Sequence, residues 1–322
     1  MAAATEVIFH AEALTRKRVD HWKWRDTVSG GRDELLIAAL CLFLLAALVP
    51  TGGLTGSLAH AESLVEWPLE TFEEPSAVVY HPPRKTLFVV GDQGDVAEVD
   101  LDGNILNRRA IGGDLEGLTC DPATGKLYVV REGHEIVLEV DPDSLKLSRR
   151  FTIDRTFEGN ANYLERGSDG IEGITFRPDS SHPEGGRFFA VNQFDPPVLV
   201  ELAVPVRTSE EQFETATIVS AQRVKSAPLS DVLWYPPVDG FLITSALWRS
   251  VYVTDSHGIR RRSVRIPGFM QEGIAVLPDG AIVIVQDTGG LLKWTPDHDP
   301  FVEAAQSGVK AEEKNEKHEE PQ

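Results

Sequence analysis

The chain has 322 residues, 42% of them hydrophobic and 25% charged, enough for one sizeable core with extensions. Its 31 basic and 50 acidic residues give a net charge of -19, which excludes nucleic acid as the natural partner, because phosphate binding needs clustered positive charge, and favours cations or neutral ligands. The two cysteines, Cys41 and Cys120, lie in unlike surroundings and support neither a disulfide nor a metal or redox motif; Cys120 reads as a small core residue.

Residues 1–34 are polar and mixed in charge, with Trp22 and Trp24 set beside basic residues, and carry no fold signal. Leu35–Val49 is wholly apolar, and no charge interrupts the 25 residues from Leu35 to Ala59; a helix needs about 20 residues to cross a bilayer. A transmembrane helix is therefore expected over 35–58. Arg16, Lys17, Arg18, Lys23, Arg25 and Arg32 precede it, and no Lys or Arg occurs after it until Arg84. By the positive-inside rule the amino end is cytoplasmic and the rest lies across the membrane. Ala59-His60-Ala61 also fits a small-x-small cleavage site, so a removable signal peptide is the alternative; both readings export the remainder of the chain.

From residue 64 onward the chain is a series of short, β-rich apolar runs bounded by turn formers. Residues 114–147 are the template, with runs at Leu118–Cys120, Lys126–Val130 and Glu135–Asp141. The same grammar recurs, each unit opening on a polar residue: Ser76, Glu116, Glu172, Asp231 and Glu272, spaced by 40, 56, 59 and 41 residues. A period near 40 is that of four short strands per unit. Insertions at Asp154–Asp169 and Pro205–Glu214 account for the two long intervals.

The first unit reads as strands Ser76–Tyr80, Thr86–Val90, Val96–Asp100 and Ile105–Ile111; the fourth as Asp231–Tyr235, Phe241–Ser245, Ser250–Thr254 and Arg260–Ile266. The fifth unit has only Glu272–Leu277, Ala281–Gln286 and Leu291–Thr295. It is one strand short, and the unassigned strand-like segment Ser63–Leu69 is expected to complete it, leaving no open sheet edge. These features predict an all-β fold, a five-bladed β-propeller over 62–297 closed by an N-terminal strand and preceded by one transmembrane helix. A many-stranded sandwich or barrel is the alternative, but it would not repeat an acidic opening at a fixed strand position. Residues 298–322 are charged and expected to be disordered.

In a propeller the first strand of each blade lies innermost, so the opening residues converge at one mouth of the channel. Glu116, Glu172, Asp231 and Glu272 would form a ring there with Ser76, and four facing carboxylates repel unless something neutralises them. Ca²⁺, which accepts six to eight oxygens in irregular geometry, is the expected cofactor. Asp114, with Glu74 and Asp169, lies close enough in sequence to add ligands. The competing reading is architectural, each acid accepting backbone N–H groups from the neighbouring blade.

A second set, at the ends of the second strands, comprises Asp92, Glu132, Asn192, Ser245 and Asp287; it is the weaker signal, because strand ends are commonly polar. No Gly-rich phosphate loop, HExxH or GxSxG motif occurs. His81, His134, His182, His257 and His298 fall in turns and are expected to be solvated. Arg260-Arg261-Arg262 reads as a solvated face of an outer strand. Trp234, Trp248 and Trp294 are expected between blades, with Trp248 also placed to line the mouth.

At these motifs the chain resembles the SdiA-regulated family of YjiK-like bacterial proteins. The resemblance covers roughly residues 64–296 and rests on an ordered set: DLEG at 114–117, GIEG at 170–173, Leu229-Ser230-Asp231 and MQEGIAVLPDG at 270–280. It implies a membrane segment followed by a five-bladed propeller distantly similar to NHL repeats, with a calcium site and no established activity. Carried over by position, Glu116, Glu172 and Glu272 match the family's motif glutamates. Val232 after Asp231, and Asn192-Gln193 and Ser245-Ala246 at second-strand ends, depart from it. The implied protein is a single-pass inner-membrane protein whose propeller faces the periplasm, binds Ca²⁺ at the channel mouth and serves as a binding or scaffold module for an unidentified small molecule or protein. The alternative is a metal-dependent hydrolase of the lactonase or esterase type, in which the channel metal activates water.

Overall fold

Several strands of this chain are apolar without interruption, such as TLFVVG at Thr86–Gly91 and IVIVQ at Ile282–Gln286, whereas others, such as RRRSVR at Arg260–Arg265, are almost wholly polar. A strand reads as continuously apolar when both of its faces are covered. That contrast is the imprint of sheets stacked face to face with their last strands in solvent. The computed structural model describes residues 61–306, apart from 70, 71, 73, 165–169 and 226. The segment 1–34, the expected membrane span 35–58 and the tail beyond 306 lie outside the described residues.

Twenty strands lie among the described residues. Ala61–Trp67 forms β1. Next come β2 to β5, at Pro75–His81, Thr86–Gly91, Asp95–Val99 and Ile105–Ala110. The next four, β6 to β9, span Leu115–Cys120, Leu127–Arg131, Ile136–Val140 and Leu147–Asp154. Strands β10 to β13 are Ile171–Pro178, Gly186–Asn192, Val198–Ala203 and Phe213–Arg223, and β14 to β17 are Asp231–Tyr235, Gly240–Ser245, Ser250–Thr254 and Arg260–Arg265. Gln271–Val276, Ile282–Gln286 and Leu291–Pro296 are β18 to β20.

Each group of four is an antiparallel meander, and β1 pairs antiparallel with β20 to make the last group up to four. The shortfall of one strand in the fifth repeat is thus filled from the other end of the domain. Neighbouring first strands touch in the order β2, β6, β10, β14, β18 and back to β2. The result is an all-β, propeller-like ring. Five apolar clusters fill the layers between successive sheets; Val78, Val89, Val283 and Leu291, for example, fuse the first sheet to the last.

Two hydroxyls stitch the inner strands together. Thr119 Oγ1 accepts the Phe176 N–H at 3.0 Å, and Thr175 Oγ1 accepts the Trp234 N–H at 2.9 Å. Both threonines stand three residues after a motif glutamate, so the repeat that sets the acids also sets this bond.

The insertion at Pro205–Glu214 does more than extend a loop. It leads into β13, which pairs in parallel with β9, so the second and third groups join into one eight-stranded sheet. Arg149 clamps the insertion by donating to the carbonyls of Pro205, Val206 and Glu211, and Arg207 donates to Asp121 at 2.6 Å.

Two sequence expectations are corrected. Residues 300–306, assigned to a disordered tail, are helical. Asp299 Oδ1 caps the helix by accepting the N–H groups of Phe301 and Val302, and Phe301 is fully buried beside Tyr235 and Trp294. One aromatic residue with a pocket outweighs the polar composition around it. His81, assigned to a solvated turn, is 1% exposed at the end of β2, with its Nε2 2.8 Å from the Gly125 carbonyl and its edge against Phe88. Cys120 is buried, as its sequence context predicted.

Candidate cation site at the channel mouth

A first strand that must open on an acid and then lie against another backbone solves both demands with Glu-Gly. A Cβ on Gly117 would stand 2.7 Å from the Ile174 nitrogen, and one on Gly173 would stand 2.6 Å from the Asp231 Cα. The glycine therefore records how closely β6, β10 and β14 approach one another. The residue before it lies at a break in register. Pairing shifts between Pro75 and Ala77, Leu115 and Leu118, Ile171 and Gly173, and Gln271 and Gly273, so Ser76, Glu116, Glu172 and Glu272 each fall within an extra-residue segment of the strand. Such a bulge re-aims a side chain away from the ordinary pleat.

Asp231 differs. Its strand pairs Asp231 with Thr244 in unbroken register. Its carboxylate oxygen Oδ2 accepts the Ile274 N–H at 3.3 Å, tying β14 to β18. For this residue the architectural reading holds. Burial holds its carboxyl well above the ordinary aspartate range, against the opposing effect of N–H groups from Val232 and Ile274.

A repeated backbone bond brings the second set of residues to the first. The N–H of Asp92 donates to Glu74 O, that of Glu132 to Asp114 O, that of Gln193 to Gly170 O and that of Asp287 to Met270 O, at 2.8–3.2 Å. The equivalent of Asp92 in the third group of four strands is accordingly Gln193 rather than Asn192. Asn192 Nδ2 instead donates to the carbonyls of Phe194 and Pro196, and Ser245 Oγ donates to Pro228 O at 2.6 Å. Those two positions serve their loops.

The acids concentrate on one side of the mouth. One carboxylate oxygen each from Asp92, Asp114 and Glu116 lie within 4.8 Å of one another. Ser76 Oγ donates to Asp92 Oδ1 at 2.5 Å, so the one neutral member of the opening set orients an acid from the next strand. Burial, then the charges of Glu172, Asp92, Asp114 and Glu132, hold the Glu116 carboxyl well above the usual range. Burial, then Glu132 and Glu272, does the same for Glu172. Burial and Asp114 push Glu132 up to about 8, and burial, opposed by Ser76, pushes Asp92 up to about 6.

Of the residues singled out in the sequence, Asp114, Glu116, Glu172 and Glu272 thus belong to one electrostatic neighbourhood and Asp231 to a structural bond. Asp92 and Glu132, from the weaker set, belong to the neighbourhood as well. Their signal was an acid at the end of the second strand, sixteen residues after the residue that opens the unit. Among the tryptophans, Trp294 is buried between sheets, Trp234 is half-buried against Phe241, and Trp248 is 55% exposed.

An all-β ring whose inner strands open on carboxylates defines a propeller-like scaffold. The chain belongs to the SdiA-regulated family, whose model matches residues 59–288. No curated protein sequence matches it. Among solved structures it is similar to the glutaminyl cyclase of Myxococcus xanthus, at 15% identity and a TM-score of 0.52, over 73% of this chain and 94% of that one. At that identity the likeness concerns the fold. Weaker likenesses are to the hydrazine synthase of Kuenenia stuttgartiensis, 15% identical with a TM-score of 0.42 over 72% and 59% of the two chains, and to a Bacteroides caccae protein of unknown function, 14% identical with a TM-score of 0.42 over 67% and 71%.

Proposed function

We propose that this protein is a five-bladed β-propeller, closed by β1 and carried by a membrane helix at 35–58, that binds Ca²⁺ at the acidic side of its channel mouth and acts as a periplasmic binding or scaffold module. The observation that carries the reading is the convergence of Asp92, Asp114 and Glu116 within 4.8 Å. The donor set fits the ion: it is all oxygen, it is anionic, and Ca²⁺ tolerates irregular coordination by carboxylates from several strands. Asp92, Asp114 and Glu116 would hold the ion, with Glu132, Glu172 and Glu272 as nearby charge. A bound divalent cation offsets the burial and mutual repulsion that raise the carboxyls of Asp92, Glu116, Glu132 and Glu172.

The test is calorimetric titration of the metal-stripped, full-length protein with CaCl₂ and MgCl₂. Saturable Ca²⁺ binding that is lost in Glu116→Gln and in Asp92→Asn supports the reading. Unchanged binding in both variants, or none in the wild type, defeats it. Ca²⁺-dependent turnover of a lactone or aryl ester by the same preparation would replace the scaffold reading with a metal-dependent hydrolase.

A further inference from the structure

Against a net charge of -19, one cavity gathers cations. It measures about 480 Å³, and its walls include Lys225, Trp248, Tyr252, Arg260, Ser263 and Arg265, with no carboxylate among them. It lies on the face of the β14–β17 sheet that looks toward β10–β13, since Tyr252 shares a core cluster with Phe189 and Leu199. Local strand geometry creates it. Pairing of β16 with β17 shifts between Val253 and Thr254, so that Arg260 stands opposite Thr254 while Ser263 stands opposite Tyr252. The extra residue brings Arg260 to the same side of the sheet as Ser263 and Arg265.

We propose that this groove binds the phosphate group of a small phosphate monoester. Charge decides the class. Three cations without a lining acid are matched better by a dianion with three acceptor oxygens than by a single carboxylate. The overall negative charge of the protein repels extended polyanions such as nucleic acid. The donors are also held in place. The Arg260 guanidinium lies 4.2 Å from the centre of the Tyr252 ring and donates to Ser263 Oγ at 2.6 Å, which leaves the Ser263 hydroxyl its own proton to give. Trp248 Nε1 donates to Ala227 O at 3.0 Å, fixing a 55% exposed indole at the rim as a flat platform for the organic part of the ester. A soluble metabolite and a lipid headgroup share this chemistry, and the experiment separates them.

Full-length protein in a nonionic detergent is titrated calorimetrically with phenyl phosphate, inorganic phosphate and benzoate. Expected are saturable, salt-sensitive binding of phenyl phosphate, weaker binding of inorganic phosphate and none of benzoate. Arg260→Gln and Arg265→Gln should each weaken phenyl phosphate about tenfold, the worth of one hydrogen bond to a charged group. Trp248→Ala should reduce phenyl phosphate to the affinity of inorganic phosphate and leave inorganic phosphate unchanged. Lys225→Gln, in a loop, repeats the measurement if a strand variant fails to fold. In a second arm, recruitment to phosphatidylcholine vesicles that requires added phosphatidic acid, and is lost in Arg265→Gln, assigns the phosphate to a lipid headgroup. Phenyl phosphate binding without such recruitment assigns it to a soluble ester. Absence of saturable binding in both arms, equal affinity for benzoate, or equal binding by wild type and the arginine variants overturns the proposal.

Discussion

The two sides of the channel mouth share one backbone plan and differ in chemistry. On one side the second strands end on Asp92, Glu132 and Asp287, close to Asp114, Glu116, Glu172 and Glu272. On the other side the corresponding stretches carry Gln193 and Ser245, and the acid on the first strand, Asp231, accepts a backbone N–H from the next sheet. The charge of the mouth is therefore a property of chosen side chains and not of the fold. Crowded buried carboxylates raise one another's pKa, whereas the Ser245 hydroxyl holds a loop by donating to Pro228 O.

Calcium should separate the two sides most strongly. A ligand at a thousand times its Kd stabilises a folded protein by about 4 kcal/mol, so Ca²⁺ should raise the urea midpoint of the wild type clearly. Ser245→Ala should keep this gain and Glu116→Gln should lose it; a gain of equal size in Glu116→Gln would show the acidic side to be inert.

Gly173→Ala should come next, at about 3 kcal/mol, because the new methyl group meets backbone at the junction of the two sides. A urea midpoint within error of the wild type would contradict the close approach of β10 to β14.

The pH dependence should be smaller, with Asp92 and Glu132 of the acidic side contributing part of it. The carboxyls of Asp92 and Glu132 titrate at about 6 and about 8 in the folded protein, against 3.8 and 4.5 as reference values. A raised carboxyl favours the folded state while protonated, so its contribution is complete below about pH 4 and is lost as the pH rises through 6 and then 8. In EDTA the thermal midpoint should fall across that window, and Asp92→Asn with Glu132→Gln should flatten the slope. Asn192→Ala should leave it as it was. A wild-type midpoint that rises from pH 5 to 8 in EDTA would contradict the raised carboxyls.

The smallest expected effect is on the neutral side. Thr175→Val removes the acceptor of the Trp234 N–H and should cost about 1 kcal/mol by chemical denaturation, without altering calcium affinity. A change in calcium affinity would mean that the two sides are coupled.

Much of this molecule could be read from its residues. The five polar openings, the Pro/Asp/Gly turns and the near-40 period gave the strand groups, because strand length and turn chemistry are local properties. The missing strand of the fifth repeat also identified β1, since a ring leaves no place for an unpaired edge. The acidic neighbourhood was only partly legible. Glu116, Glu172 and Glu272 carry a recurrent signal, but Asp92 reaches them through a turn sixteen residues after Ser76, and polar strand ends are too common to single it out. The helix at 300–306 was hidden by charged neighbours, because its stability rests on where Phe301 is buried rather than on its own composition.

By itself, then, the sequence determined the unit, its number and the polar residue that opens it, all encoded within stretches of about 40 residues. Only the tertiary structure decided which acids meet. Register breaks at Glu116, Glu172 and Glu272, and unbroken register at Asp231, turn similar motifs to different ends, and that choice depends on how neighbouring strands pair. It also decided that three cations from one polar strand and one loop would share a groove, because the bulge in β17 that aligns Arg260 with Arg265 exists only once β16 lies beside it.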